Sequence, residues 1–190
     1  MLDRKYLSQL RKSIHGFSAQ RQEVIKESGQ ALHLAKRAIC AGQRGDLGEA
    51  KEKLVVVEKI LLGLLRKYKK NQTLLSEGSL LAALEEYVEA DLFFQFLTTG
   101  KISQCRRVPV TADAYLAGLC DLPGELFRLA LKLATARQSE EVRACAGLSE
   151  EIIGELIEFD LVSYLRTKFD QAKQANAKLE KVVYELSLRP

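Results

Sequence analysis

The spacing of the apolar residues constrains this chain most, because they recur at steps of three and four along nearly all of its length. Only 12 Gly and 3 Pro occur among the 190 residues, which leaves little turn material for a many-stranded sheet. No segment alternates apolar and polar residues with the period of two that a half-buried strand needs. The sequence therefore predicts an all-α fold and, at this length, a single domain over residues 1–190.

Six or seven helices are expected from the break signals between the periodic segments. Gly42, Gly45 and Gly48 interrupt the first long pattern, and Asp46 and Thr111 can cap the helices that follow them. Ser149 can restart a helix that breaks near Gly147. The predicted helices span residues 2–41, 47–70, 80 to near 98–100, 112 to about 137, 139 onwards with that interruption, and 163 to about 186.

The net charge of +4 conceals a polarity along the chain. Residues 1–70 contain 16 Lys and Arg against 7 Asp and Glu, whereas residues 71–190 contain 13 against 18. A basic segment suits a polyanionic partner, because each phosphate contact releases counterions. A solvated helix surface explains one basic stretch equally simply.

The sequence also predicts where the protein works. No apolar run reaches 18 residues, since the best one, residues 60–65, stops at Arg66, and no apolar stretch follows the charged N-terminus. The four cysteines form no Cys-x-x-Cys pair, and we expect them to be buried small hydrophobes. We therefore expect a cytoplasmic protein with no membrane span, no secretory signal and no disulfide framework.

Two glutamates lie within a predicted helix that is otherwise apolar on nearly every side. Glu86 and Glu89 share one helical face with Ala82 and Phe93, since these positions follow i, i+4, i+7 and i+11. A helix that is apolar all round is expected to be buried. Two buried carboxylates are unfavourable unless something compensates their charge.

The next predicted helix has a second acidic stripe, formed by Gly118, Asp121, Glu125 and Arg128. Packed helices lie about 8–10 Å apart, so carboxylates on facing stripes can converge. Close anion pairs repel by about 4 kcal/mol at an effective dielectric of about 20, which a proton or a cation must relieve. Carboxylates without His or Cys favour Mg²⁺ or Mn²⁺. The alternative is that each carboxylate forms an ion pair within the protein, for instance Glu125 with Arg128.

Three segments of this sequence resemble the translin family, and specifically its translin-associated factor X branch and the archaeal homologues of that branch. They are EYVEA at 86–90 followed by Phe93 and FLTTGK at 96–101, YLAGLCDLPGELFRL at 115–129, and VVYELSLR at 182–189. The segments occur in the family's order, and the resemblance covers essentially the whole chain.

This resemblance implies an all-helical fold, a hollow homo-octameric barrel, and binding of single-stranded RNA or DNA inside it. In the catalytic branch it also implies metal-dependent endoribonuclease activity. The acidic motif of that branch corresponds to Glu86, Glu89, Asp121 and Glu125 in this sequence. The translin branch itself binds nucleic acid and lacks this full set of acids, so the resemblance favours an enzyme that uses Mg²⁺ or Mn²⁺.

Pro123 departs from the family pattern between Asp121 and Glu125. Proline lacks an amide hydrogen and clashes with the preceding helical turn. We therefore expect either a kink at Pro123 or a helix that ends near Cys120 and restarts with Pro123 in its first turn.

A block around residues 35–39 resembles the basic region of the family. On this basis Arg21, Lys36, Arg37 and Arg44 are candidate phosphate contacts, which would position RNA without reading its bases. The same four side chains can equally well face solvent.

The leading hypothesis is a homo-oligomeric endoribonuclease that acts on single-stranded RNA, with Glu86, Glu89, Asp121 and Glu125 as metal ligands and catalytic residues. The alternative is a non-catalytic protein of the translin type that binds single-stranded RNA or DNA. A helical-bundle redox protein with two metal ions ranks last, since no His follows either acidic pair at the spacing that this class uses.

Overall fold

The computed structural model describes residues 2–188, and within them the chain forms seven helices and no strand. The helices are α1 (Arg4–Gln43), α2 (Leu47–Lys67), α3 (Gln72–Leu75), α4 (Gly78–Thr99), α5 (Ala112–Thr135), α6 (Ser139–Ile157) and α7 (Ser163–Ser187). No helix in this part of the chain has an apolar stretch long enough to cross a membrane.

Two predicted helix starts are set by side-chain caps. The Asp46 carboxylate accepts a hydrogen bond from the Glu49 amide at the start of α2, and the Thr111 hydroxyl accepts one from the Ala114 amide at the start of α5. At its other end, α4 stops at Gly100, which adopts the left-handed conformation that glycine tolerates.

The core lies between the second half of α1 and helices α2, α4 and α5, and α6 and α7 cover α5 from the other side. Small residues on α1 let its neighbours approach closely. Gly42 is one of them, since a Cβ there would lie 2.8 Å from Leu97 and 3.2 Å from Phe93. The side of α1 that packs against the core includes buried Val24, Ala31, Ala35, Ala38 and Ile39.

Helices α4 and α5, which carry the acidic stripes, touch most closely at Gly118. A Cβ at this position would lie 2.7 Å from both the Glu85 carbonyl oxygen and the Val88 side chain. Glycine is therefore required for the observed helix spacing. Because Asp121 and Glu125 follow Gly118 by one and two turns, this contact brings the α5 stripe against the α4 stripe.

Three predictions from the sequence differ from the structure. α2 ends at Lys67 instead of residue 70, and the following polar stretch contains the one-turn helix α3. α6 runs unbroken through Gly147 and Ser149, because buried Ser149 faces the interior rather than capping a new helix. Cys40 and half-buried Cys105 are not buried small hydrophobes, unlike Cys120 and Cys145.

Candidate functional site

The α4 carboxylates face the core side of the molecule. Glu89 is only 8% exposed, and Glu86 is half-buried. Both side chains line a cavity of about 300 Å³ together with Glu125 from α5. The remaining lining residues are Lys36, Ile39 and Cys40 from α1 and Arg128 from α5.

α5 continues from Ala112 to Thr135 through Pro123, so the helix neither ends at Cys120 nor restarts at the proline. The predicted end near Cys120 with a restart at Pro123 is therefore wrong. Burial explains the tolerance, since Pro123 lies inside the packed bundle, where tertiary contacts outweigh the loss of one backbone hydrogen bond. Asp121 and Glu125 consequently remain one turn apart on one helix.

The four carboxylates interact electrostatically. Burial raises the pKa of Glu89 to about 9, and the charges of Asp121, Glu86 and Glu125 reinforce that rise. Burial also raises the pKa of Glu86, with Lys36 opposing the rise and Asp121 and Glu125 adding to it. The Glu89 carboxyl is therefore protonated at neutral pH in this arrangement.

Cationic side chains accompany three of the four acids. The Lys168 ammonium from α7 donates to Asp121 and lies 3.6 Å from Glu85. Arg128 lies 3.2 Å from Glu125, which also accepts a 2.9 Å hydrogen bond from the Gln43 amide. The ion pair between Glu125 and Arg128, which the sequence offered as the alternative to a metal site, is thus present.

The Glu86 carboxylate has a looser partner, since its oxygen lies 3.7 Å from the Lys36 ammonium. Glu89 differs from the other three, because among residues 2–188 it has no cation within salt-bridge distance. Glu89 and Glu125 are the least exposed members of the quartet, and Glu89 is the member without an ion-pair partner in this part of the chain.

The oxygen atoms are near one another but are not grouped around one point. Within residues 2–188, no three His, Cys, Asp or Glu side chains are placed to share a metal ion. Asp121 is turned towards Lys168 and does not line the cavity that Glu86, Glu89 and Glu125 share. Any divalent ion must therefore compete with Lys168 and Arg128 for these carboxylates.

The four candidate phosphate contacts are all on the surface, with side chains between 53% and 58% exposed, and each lies beside a glutamate. Arg37 and Arg44 share Glu49, at 3.9 and 2.7 Å, while Lys36 lies at the acidic cavity. The Arg21 guanidinium donates two hydrogen bonds to the Glu77 carboxylate. It lies roughly 22 Å along α1 from Lys36, so it is not part of the same group.

The sequence gives no signal for two residues at this site. Lys168 follows Asp121 by 47 positions on a different helix, and only the packing of α7 on α5 brings them together. Tyr164, one turn before Lys168, donates a 2.8 Å hydrogen bond to Glu85. Burial lowers the pKa of Lys168, but the hydrogen bonds and the charges of Asp121 and Tyr164 together outweigh burial and raise the pKa overall.

Comparison with known proteins identifies close structural relatives. A crystal structure of apo-NeC3PO superposes with a TM-score of 0.87 at 22% identity, covering 98% of both chains, which shows the shared fold. AfC3PO in a complex with duplex RNA superposes with a TM-score of 0.80 at 25% identity, covering 96% of this chain and 97% of that one.

The sequence comparisons agree with the fold. The translin-associated protein X homolog of Schizosaccharomyces pombe is 28% identical over 115 residues, covering 56% of this chain and 50% of the relative. The chain thus matches about half the length of that curated relative. The model of the Translin family matches residues 8–190. This chain belongs to the Translin family.

Proposed function

We propose that this protein is a divalent-metal-dependent endoribonuclease that cleaves single-stranded RNA inside a hollow homo-oligomer. One observation carries the proposal. Glu86, Glu89 and Glu125 line one cavity, Asp121 acts on it electrostatically, and the buried Glu89 has no cationic partner among residues 2–188. A buried carboxyl with a strongly raised pKa and no ion-pair partner is unfavourable in its charged form and is typical of functional sites.

The donor set fits Mg²⁺ or Mn²⁺, because it consists of carboxylate oxygens without His or Cys. Two such ions, when bound, activate a water and stabilise the leaving oxygen of a phosphodiester. Glu86, Glu89, Asp121 and Glu125 would hold them. Binding requires Glu89 to lose its proton and requires Asp121 and Glu125 to exchange Lys168 and Arg128 for the metal.

The protein's own cations then act on the substrate. Lys36 and Arg128 line the acidic cavity, so they are placed to attract the phosphate of a strand that enters it. Arg37 and Arg44 lie nearby on α1 and at its end, where they would contact neighbouring phosphates after leaving Glu49. One of the four carboxylates would accept the proton of the attacking water.

RNA as the ligand class is supported by the relative AfC3PO, which was solved with duplex RNA. Single strands are the proposed substrates, because their unstacked bases can reach an enclosed cavity more easily than a duplex can. A homo-oligomer, an octamer by family resemblance, would enclose the strand.

The test is cleavage of an end-labelled single-stranded RNA and of its duplex form with Mg²⁺ or Mn²⁺. We expect internal cleavage of the single strand, its loss with chelator, and a loss of at least about 100-fold in Glu89→Gln, because a metal ligand is removed. Asp91→Asn is the matched control, since Asp91 lies two residues away on α4 but outside the cavity. Equal activity in Glu89→Gln and wild type would contradict the proposal.

The second candidate function is non-catalytic binding of single-stranded RNA or DNA. The ion pairs of Asp121 with Lys168 and of Glu125 with Arg128 favour it, because carboxylates that are already paired have no need of a metal. In that case RNA binding would fall with salt, stay unchanged with chelator, and occur without cleavage.

A further inference from the structure

The first half of α1 extends away from the rest of the molecule. Residues 2–22, which we call the N-terminal arm, are exposed throughout, whereas Val24 and later positions of α1 enter the core. The arm has an apolar stripe formed by Leu7, Leu10, Ile14 and Phe17, which are between 37% and 62% exposed. Their spacing of three and four residues places them on one face.

An apolar stripe on an exposed helix is stable in water only at a cost, because its side chains remain hydrated. The arm is also basic, with five Lys and Arg against one Asp over residues 2–22. Arg4 and Arg11, seven residues apart, flank the stripe along one edge. Among residues 2–188 neither of them forms an ion pair.

An apolar groove lies between α5, α6 and the segment that follows α4, and the C-terminal end of α4 lines one part of it. Three adjoining cavities of about 460 to 520 Å³ form it, sharing Gly100, Tyr115, Leu119, Leu148, Glu151 and Glu155. Its lining is mainly apolar and includes Phe96, Leu97, Leu129, Leu133, Ile152 and Phe159. It is separate from the acidic cavity of the candidate nuclease site.

The edge of this groove is acidic. Residues 139–158 contain six Glu and one Arg, and Glu141, Glu151 and Glu155 line the groove, with Lys101 in its middle part. In the described part of the chain these three glutamates have no ion-pair partner. The groove therefore presents an apolar floor with a net negative charge, which complements the apolar and positive arm.

The two surfaces also match in length. Positions 4–22 of the arm span roughly 27 Å at 1.5 Å per residue, and the groove follows α6 from Glu141 to Phe159, which is about the same distance. The arm cannot reach the groove of its own chain, since α1 is one continuous helix whose second half packs against α2 and α4.

We infer that the N-terminal arm of one chain binds the groove between α5 and α6 of a second copy of this chain. The contact joins two different surfaces, so it propagates into a closed ring or is exchanged reciprocally between two copies. The inference rests on the homo-oligomer of the proposed function and is independent of its nuclease chemistry. An alternative pairing of two arms with each other would bring two basic helices together, which like charges oppose.

The first experiment measures the mass of the full chain by light scattering after size-exclusion chromatography. Leu10→Glu and Ile14→Glu place a charge on the stripe, and we expect the mass to fall from that of the wild-type oligomer to a smaller species. Ser8→Glu is the matched control, because it adds the same charge to the same exposed helix on the face away from the stripe. Circular dichroism should show unchanged helix content in all three.

The second experiment exchanges charges across the contact. Arg4→Glu with Arg11→Glu, and separately Glu151→Lys with Glu155→Lys, should each reduce the mass. The chain that combines all four substitutions should regain the wild-type mass, because opposite charges face each other again. Restoration distinguishes this contact from any other that involves the arm.

A wild-type chain that is monomeric at micromolar concentration would overturn the inference, as would a stripe variant that keeps the wild-type mass. The inference would also be overturned if the arm variants dissociate while the groove variants keep the wild-type mass. The same holds if the arm variants keep the wild-type mass and lose only RNA binding. Cleavage of RNA is read separately, so an inactive but correctly assembled protein would contradict the proposed nuclease and leave the contact intact.

Discussion

The unusual residue of this molecule is Glu89, a carboxyl that is 8% exposed, has no cation partner among residues 2–188 and has its pKa raised to about 9. Each of its three acidic neighbours has a cationic partner: Glu86 lies beside Lys36, Asp121 beside Lys168 and Glu125 beside Arg128. Burial and the repulsion by these neighbours therefore outweigh the opposing charge of Lys168 at Glu89, and the protonation state of Glu89 links the fold to pH.

Replacing this carboxyl should stabilise the protein with a distinctive pH dependence. The pKa of Glu89 is about 9 in the folded protein and has its ordinary value of 4.5 in the unfolded chain. Between these two pH values the folded protein holds a proton that the unfolded chain has lost, so stability falls as pH rises through this range. Glu89→Gln removes that loss. We expect it to raise the free energy of unfolding by up to about 5 kcal/mol at pH 8 and by little at pH 5.

Denaturant titrations at pH 5 and pH 8, at fixed protein concentration and without divalent ions, measure this difference. Glu77→Gln is a control of opposite sign, because the hydrogen bond from Arg21 lowers the pKa of Glu77 and the substitution should destabilise. A Glu89→Gln variant that is less stable than wild type at pH 8 would contradict the raised pKa of Glu89.

At the scale of helices, the contact of α4 with α5 at Gly118 decides whether the two acidic stripes meet. We expect Gly118→Ala to destabilise the protein by about 1–3 kcal/mol, because its Cβ would lie 2.7 Å from the Glu85 carbonyl oxygen. The helices must separate, so Mn²⁺ affinity should fall as well. Thermal unfolding and Mn²⁺ titration measure the two effects.

Gly124→Ala is the matched substitution on the same helix. No atom lies within 4 Å of a Cβ at that position, so we expect stability to stay unchanged or to rise by up to about 1 kcal/mol through helix propensity. Equal destabilisation by both substitutions would show that any substitution in helix α5 lowers stability, and that the close contact at Gly118 is not the cause.

At the scale of the whole molecule, the basic residues divide into a group near the acidic cavity and a distant arginine. Lys36→Ala and Arg37→Ala should each weaken binding of single-stranded RNA and reduce the slope of log affinity against log salt by about 1. Arg21→Ala should change the slope less, because Arg21 is bound by Glu77 and lies away from the cavity. Fluorescence anisotropy at several salt concentrations measures these slopes.

The sequence by itself determined the helices, because apolar periodicity and caps such as Asp46 and Thr111 are local properties. It also indicated the two acidic stripes, since residues three and four apart share a helical face whatever surrounds them. Local rules failed where distant packing prevails, as at Pro123, which stays inside α5, and at Ser149, which is buried within α6.

Only the tertiary structure decided which charges meet. The pairing of Lys168 with Asp121 joins α7 to α5, and the isolation of Glu89 depends on which cations the surrounding helices bring within reach. The same holds for α1, whose periodic stripe is continuous in sequence but is exposed in the arm and buried after Val24. Periodicity specifies the face of a helix, whereas the partner of that face depends on contacts between residues far apart in the chain.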